Sequence, residues 1–134
     1  SETRDVNPLI DAEFDQSGAW NNDLSSAFGF NGPAGCVAIA MSQIMHYWSY
    51  PEQGEGSNSY DEDDYGILEV DFGTTFYDFD NMEATYATNP SQLLIYHTGV
   101  SVNMDYENSG SGAQTDGVYP SAEDAYSYRS IVLA

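Results

Sequence analysis

The apolar positions follow one clear helical pattern and one clear alternating pattern, separated by polar, glycine-rich stretches. The helical pattern is AGCVAIAMSQIMHYWSYP, residues 34–51. Val37, Ala40, Met41, Ile44, Met45 and Trp48 recur at i, i+3, i+4 and i+7, a spacing that gathers them on one face of a helix. Pro51 stops the helix, because it has no N–H to donate and its ring clashes with the preceding turn. In LEVDF, residues 68–72, Leu68, Val70 and Phe72 alternate with Glu69 and Asp71, which predicts a half-buried strand. Gly73-Thr74-Thr75 breaks it. Tyr77 and Phe79 alternate with Asp78 and Asp80, the mark of a weaker strand or an extended segment. PSQLLIYHT, residues 90–98, has Pro at a helix start and Gly99 placed as a C-cap.

The remainder reads as connections. The first ten residues form an extended arm. Residues 11–33 are rich in Gly, Asn, Ser and Asp, and close on the turn signal Asn31-Gly32-Pro33. Residues 52–66 form a loop that carries Asp61-Glu62-Asp63-Asp64, and residues 107–117 form a Gly/Ser loop. Ser121 and Asp124 have capping-box spacing, with Asp in place of Glu, and open a short acidic helix. The terminal RSIVLA reads as a short strand. No internal repeat is visible. A length of 134 residues suits one domain, 1–134, and 41% hydrophobic residues with 11 tyrosines supply a core.

Charge narrows the class of partner. Twenty-two acidic residues stand against Arg4 and Arg129, with no lysine, for a net charge of −20. Such a surface repels phosphate backbones and anionic lipids, so neither nucleic acid nor membrane is expected as a partner. Three settings fit it: secretion, high salt, or an acid medium. No stretch approaches the ~20 apolar residues of a membrane span. The polar N-terminus SETRDVNPLID is not a secretory leader and reads as a start produced by processing. The carboxylates at 61–64 lack the spacing of a calcium loop and read as a solvated face. Glu69 and Asp71 share one strand face directed to solvent. There is no phosphate loop, zinc-ligand cluster or Ser-His-Asp set, so no metal and no cofactor is expected.

The single cysteine, Cys36, cannot form an internal disulfide, which leaves either an inert buried thiol or a reactive one. It falls in the first turn of the predicted helix, just after Gly35. Backbone N–H groups and the positive end of the helix dipole stabilise negative charge on a sulfur there. A thiolate is the nucleophile of cysteine peptidases. The small residues Ala34 and Gly35 leave room for a substrate backbone beside it.

The stretch AGCVAIAMSQIMHYWSYP resembles the nucleophile helix of the streptopain (C10) family of cysteine peptidases. There a Gly-Cys-Val-Ala core is followed by Ala-Met-X-Gln-Ile-Met and then Tyr-Pro. Pro8-Leu9-Ile10, Phe14-Asp15-Gln16 and Trp20-Asn21 are similar to the family's mature N-terminus. Gly54-Glu55-Gly56-Ser57 with Tyr60, Val70-Asp71-Phe72 with Thr75, and Tyr77-Asp78-Phe79-Asp80-Asn81-Met82 with Tyr86 follow the family order. So do residues 97–106, HTGVSVNMDY, and Ser109-Gly110-Ser111-Gly112-Ala113. The resemblance runs from about Pro8 to about Tyr128. It implies an α+β fold, the left lobe of a papain-like enzyme, with a central buried helix starting near Cys36, short strands and long loops. It also implies Cys36 as nucleophile, Gln16 as side-chain oxyanion donor, the Cys36 backbone N–H as second donor, and secretion with a propeptide.

One element of the resemblance is missing. The family's general-base histidine lies well downstream in a second, β-rich lobe, followed by a Trp-Gly-Trp segment, and this chain ends before either. His46 is ten residues beyond Cys36 on the same helix, about 15 Å along its axis at ~1.5 Å per residue. His97 matches a non-catalytic family position and reads as a packing residue. Neither Asp105 nor the acidic cluster substitutes for the base. Two functions follow. In the first, the chain is part of a secreted cysteine endopeptidase that forms a thioester on Cys36. It is inactive without a complementary histidine-bearing chain and acts on peptide or protein substrates when complemented. In the second, it is a non-catalytic, self-assembling extracellular filament subunit derived from such a peptidase, with copies of itself as partners.

Overall fold

The computed structural model describes residues 9–113. The N-terminal arm to residue 8, the acidic helix expected from Ser121 and the RSIVLA strand lie outside the described residues. Within them run three α-helices, α1 (Asn22–Phe28), α2 (Cys36–Trp48) and α3 (Asn89–Ser101), and two strands, β1 (Ser57–Glu62) and β2 (Gly66–Asp71). The strands pair antiparallel, with Ser57 opposite Asp71 and Glu62 opposite Gly66.

The helix α2 begins at Cys36 and ends where Ser49 turns left-handed, its N–H returning to the carbonyls of Met45 and His46. Its buried face is Ala38, Ile39, Met41, Ser42 and Met45. Of the six residues expected on that face, Met41 and Met45 are buried and Val37 half-buried, whereas Ala40, Ile44 and Trp48 are exposed, Trp48 by 70%. Apolar residues occupy almost the whole circumference of this helix, so periodicity alone does not select the inward side. Hydrogen bonding selects it: the hydroxyls of Ser42 and Thr98 meet at 3.0 Å, and Thr98 also donates to Ala38 O. That polar seam turns Ser42 inward and joins α2 to α3.

The helix α3 is opened by a reciprocal capping box between Thr88 and Ser91, with Pro90 in its first turn. It does not stop at Gly99. The helix continues to Ser101, and Gly99 sits inside it because a Cβ there would lie 2.1 Å from the Tyr106 hydroxyl. Tyr106 packs among Phe28 and Phe30, with ring centroids 5.1–5.2 Å away. One apolar cluster runs from Ala12 and Phe14 through all three helices and β2 to Tyr106.

Three stretches differ from the sequence expectation. The span 52–66, expected as a loop, contains β1, and the span 11–33 contains α1, closed by Gly29 at φ 81°. Around residues 77–80, expected as a weaker strand or an extended segment, there is a single bridge from Phe76 to Gln53 and a 3-10 turn at Phe79–Asn81.

Candidate active site

Cys36 is the first residue of α2 and is exposed. Gly35 precedes it at φ 97°, ψ 136°, a conformation L side chains rarely adopt. A Cβ at Gly35 would also stand 2.7 Å from Met104 Sδ and Cε and 3.3 Å from Ser111 O. Glycine is therefore required twice here, by conformation and by close approach. The floor beneath the cysteine loop comes from the far end of the described chain. Asp105 and Gly112 exchange backbone hydrogen bonds of 2.9 and 3.1 Å, and Ser111 Oγ donates to Pro33 O at 2.7 Å.

Gln16 reaches the same place through its backbone. Its carbonyl accepts the Ala34 N–H at 2.8 Å and Asn21 Nδ2 at 2.6 Å. Asn21 Nδ2 also donates to Gly32 O. Asp15 holds the turn that follows by accepting from Ser17 N and Oγ. The segment bearing Gln16 is thus bonded to the loop that leads into Cys36, and the Gln16 residue is exposed. Asn21 belonged to a recognisable Trp20-Asn21 pair, but nothing in the sequence marked it as the residue that joins the two segments. That role needs the two carbonyls in place.

The other candidates lie elsewhere. His46 is half-buried in α2, its ring 5.4 Å from that of Phe14. His97 is buried, 2.8 Å from the Tyr77 hydroxyl through Nδ1, and burial holds its pKa down at about 4. Asp105 is exposed in the bridge to Gly112. In the acidic run, Asp61, Asp63 and Asp64 are exposed while Glu62 turns inward. Glu62 accepts the backbone N–H groups of Asp64 and Tyr65 on one oxygen and that of Tyr106 on the other. Its function is to close the β1–β2 turn. Among the described residues, no group of three or more His, Cys, Asp or Glu side chains is arranged to hold a metal ion, and no helix is long and apolar enough to cross a membrane.

A model of the Peptidase C10 family matches residues 14–134. The chain belongs to the Peptidase C10 family. Streptopain of Streptococcus pyogenes is 28% identical over 122 residues, which span 80% of this chain and 30% of streptopain. The thiol protease/hemagglutinin PrtT of Porphyromonas gingivalis is 30% identical over 105 residues, 71% of this chain and 12% of that protein. Among solved structures, a prointerpain A fragment from Prevotella intermedia, carrying one cysteine-to-alanine substitution, superposes with a TM-score of 0.74 at 26% identity, covering 95% of this chain and 43% of that one. Active wild-type interpain A cysteine protease from the same organism gives 0.72 at 28%, covering 95% and 55%. The chain spans about a third of streptopain and about half of the interpain chains. This C10-family cysteine peptidase chain has the α+β arrangement of part of a papain-like enzyme.

Proposed function

We propose that the chain is the nucleophile-bearing lobe, a single partial domain, of a secreted cysteine endopeptidase acting on peptides or proteins. The observation that carries this reading is the exposed Cys36 at the head of α2, on a loop bonded to the segment that bears Gln16. The Cys36 thiolate attacks a peptide carbonyl carbon, forming a C–S bond. The oxyanion is held by the Cys36 N–H and the Gln16 carboxamide. The C–N bond then breaks, the amine leaves with a proton from a histidinium, and water hydrolyses the thioester. That histidine belongs to a second lobe, because His97 is engaged with Tyr77 in the core and His46 is about 15 Å along α2. The exposed face of α2, where Ala40, Ile44 and Trp48 follow Cys36, suits contact with such a lobe.

Supplied with the histidine-bearing lobe, the chain forms a mass-detectable Cys36 adduct with a peptidyl thiol-directed inhibitor and cleaves peptides. Cys36→Ala abolishes both. The 134 residues alone cleave nothing. Absence of an adduct in the complemented protein, or Cys36-dependent cleavage by the chain alone, contradicts the corresponding part of the reading. An intact nucleophile motif in a peptidase family favours this reading over a self-assembling filament subunit.

A further inference from the structure

We infer that Asn21 is a positioning residue that sets the oxyanion donor against the nucleophile. The inference rests on the proposed roles of Cys36 and Gln16. Asn21 is 5% exposed and stands at the N-cap position of α1. It is also the last residue of a 3-10 turn, Gly18–Asn21, that runs directly into α1, and the Asn22 N–H is already bonded to Ala19 O. Its side chain makes no cap bond, in keeping with a turn-like backbone at φ −98° and ψ 9°. Both hydrogens of Nδ2 instead point at carbonyls, those of Gln16 and Gly32. Its Oδ1 is buried with no hydrogen-bond partner among the described residues.

Chemistry fixes the orientation of this amide. Turning it over would set an oxygen against two carbonyl oxygens. Asn21 therefore leaves an acceptor unpaired among the described residues while donating twice. The recipients are not arbitrary. Gln16 O is also the acceptor for Ala34 N–H, and Gly32 begins the Gly-Pro-Ala-Gly run that enters Cys36. One carboxamide thus ties the backbone of the donor residue to the loop of the nucleophile. A displacement of about 1 Å between catalytic groups can lower a rate about 100-fold.

The test is a double-substitution cycle in the complemented peptidase. It uses Asn21→Ala, Gln16→Ala and both together, with Cys36→Ala as control, and reads kcat, KM and thermal unfolding. Asn21→Ala is expected to lower kcat about 10- to 100-fold, with KM within about twofold. In the Gln16→Ala background the same change is expected to lower kcat by less than about threefold, because the donor it positions is already gone. If Asn21→Ala does not fold, Asn21→Ser keeps one donor and carries the same cycle. An equal fold-loss in both backgrounds, or a loss confined to KM, overturns the role of Asn21 alone. Activity that survives Cys36→Ala, or a kcat unmoved by Gln16→Ala, overturns the parent reading and the inference with it.

Discussion

Replacing Gly99 with alanine sets two physical effects against each other. Alanine is the better helix former, by about 1 kcal/mol, and Gly99 lies within α3. Against that gain, the new Cβ would lie 2.1 Å from Tyr106 Oη and 3.3 Å from Cζ, where ordinary contacts between heavy atoms are about 3.5–4.0 Å. Tyr106 is fully buried between Phe28 and Phe30, so its ring cannot swing aside without moving them. Overpacking of this kind costs about 3 kcal/mol at the upper end of its usual range. Subtracting the propensity gain leaves an expected loss of about 2 kcal/mol. The hydroxyl itself has no hydrogen-bond partner among the described residues. Tyr106→Phe should therefore be neutral or slightly stabilising, and in its background Gly99→Ala should lose less than about 1 kcal/mol. Urea denaturation of the four proteins, with m-values compared, measures the cycle. A Gly99→Ala protein as stable as its parent, or an equal loss with and without the hydroxyl, refutes the steric reasoning.

Two further outcomes follow from buried polar groups. His97 is held neutral, with its pKa lowered to about 4 by burial, so the unfolded chain binds a proton that the native one refuses. Its contribution is complete above about pH 6.5 and is lost as the pH falls towards 4, about 3 kcal/mol in all. Urea midpoints at pH 7 and 4.5 should lie closer together in His97→Gln than in the parent, and identical acid slopes would count against it. Glu62 accepts three backbone N–H groups, so Glu62→Ala should cost about 3–5 kcal/mol, and Glu62→Gln, which keeps one accepting oxygen, about half as much. Thermal melts decide this, and a Glu62→Ala loss under about 1 kcal/mol would show that the turn closes without the carboxylate.

The elements differ in how far their sequence betrays them. The limits of α2 were legible because Gly35 and Pro51 bracket a long apolar run. Its rotation was not, because Ser42 is turned inward by a hydroxyl on a helix 56 residues away. The strand β2 was visible through Leu68 and Val70. Its partner β1 was hidden because its inward side chains are polar. Asn58 donates to Val100 O, Tyr60 to Met104 O, and Glu62 accepts from the Tyr106 N–H. Alternation is present in β1, but it alternates hydrogen bonding rather than hydrophobicity. The seven-residue α1 buries Leu24 alone, too little for a periodic signal. At the candidate site, Cys36 and Gln16 stood out through local motifs, whereas Met104, Ser111 and Asn21 matter only through where the chain returns.

That return has a consequence in time. Ser111 donates to Pro33 across 78 residues of chain, and Met104 fills the space beneath Gly35. During synthesis from the N-terminus at about 5–20 residues per second, those braces emerge roughly 4–16 seconds after the loop they support. A growing or truncated chain therefore carries its thiol on a loop with no floor. The nucleophile is made before the residues that complete its setting.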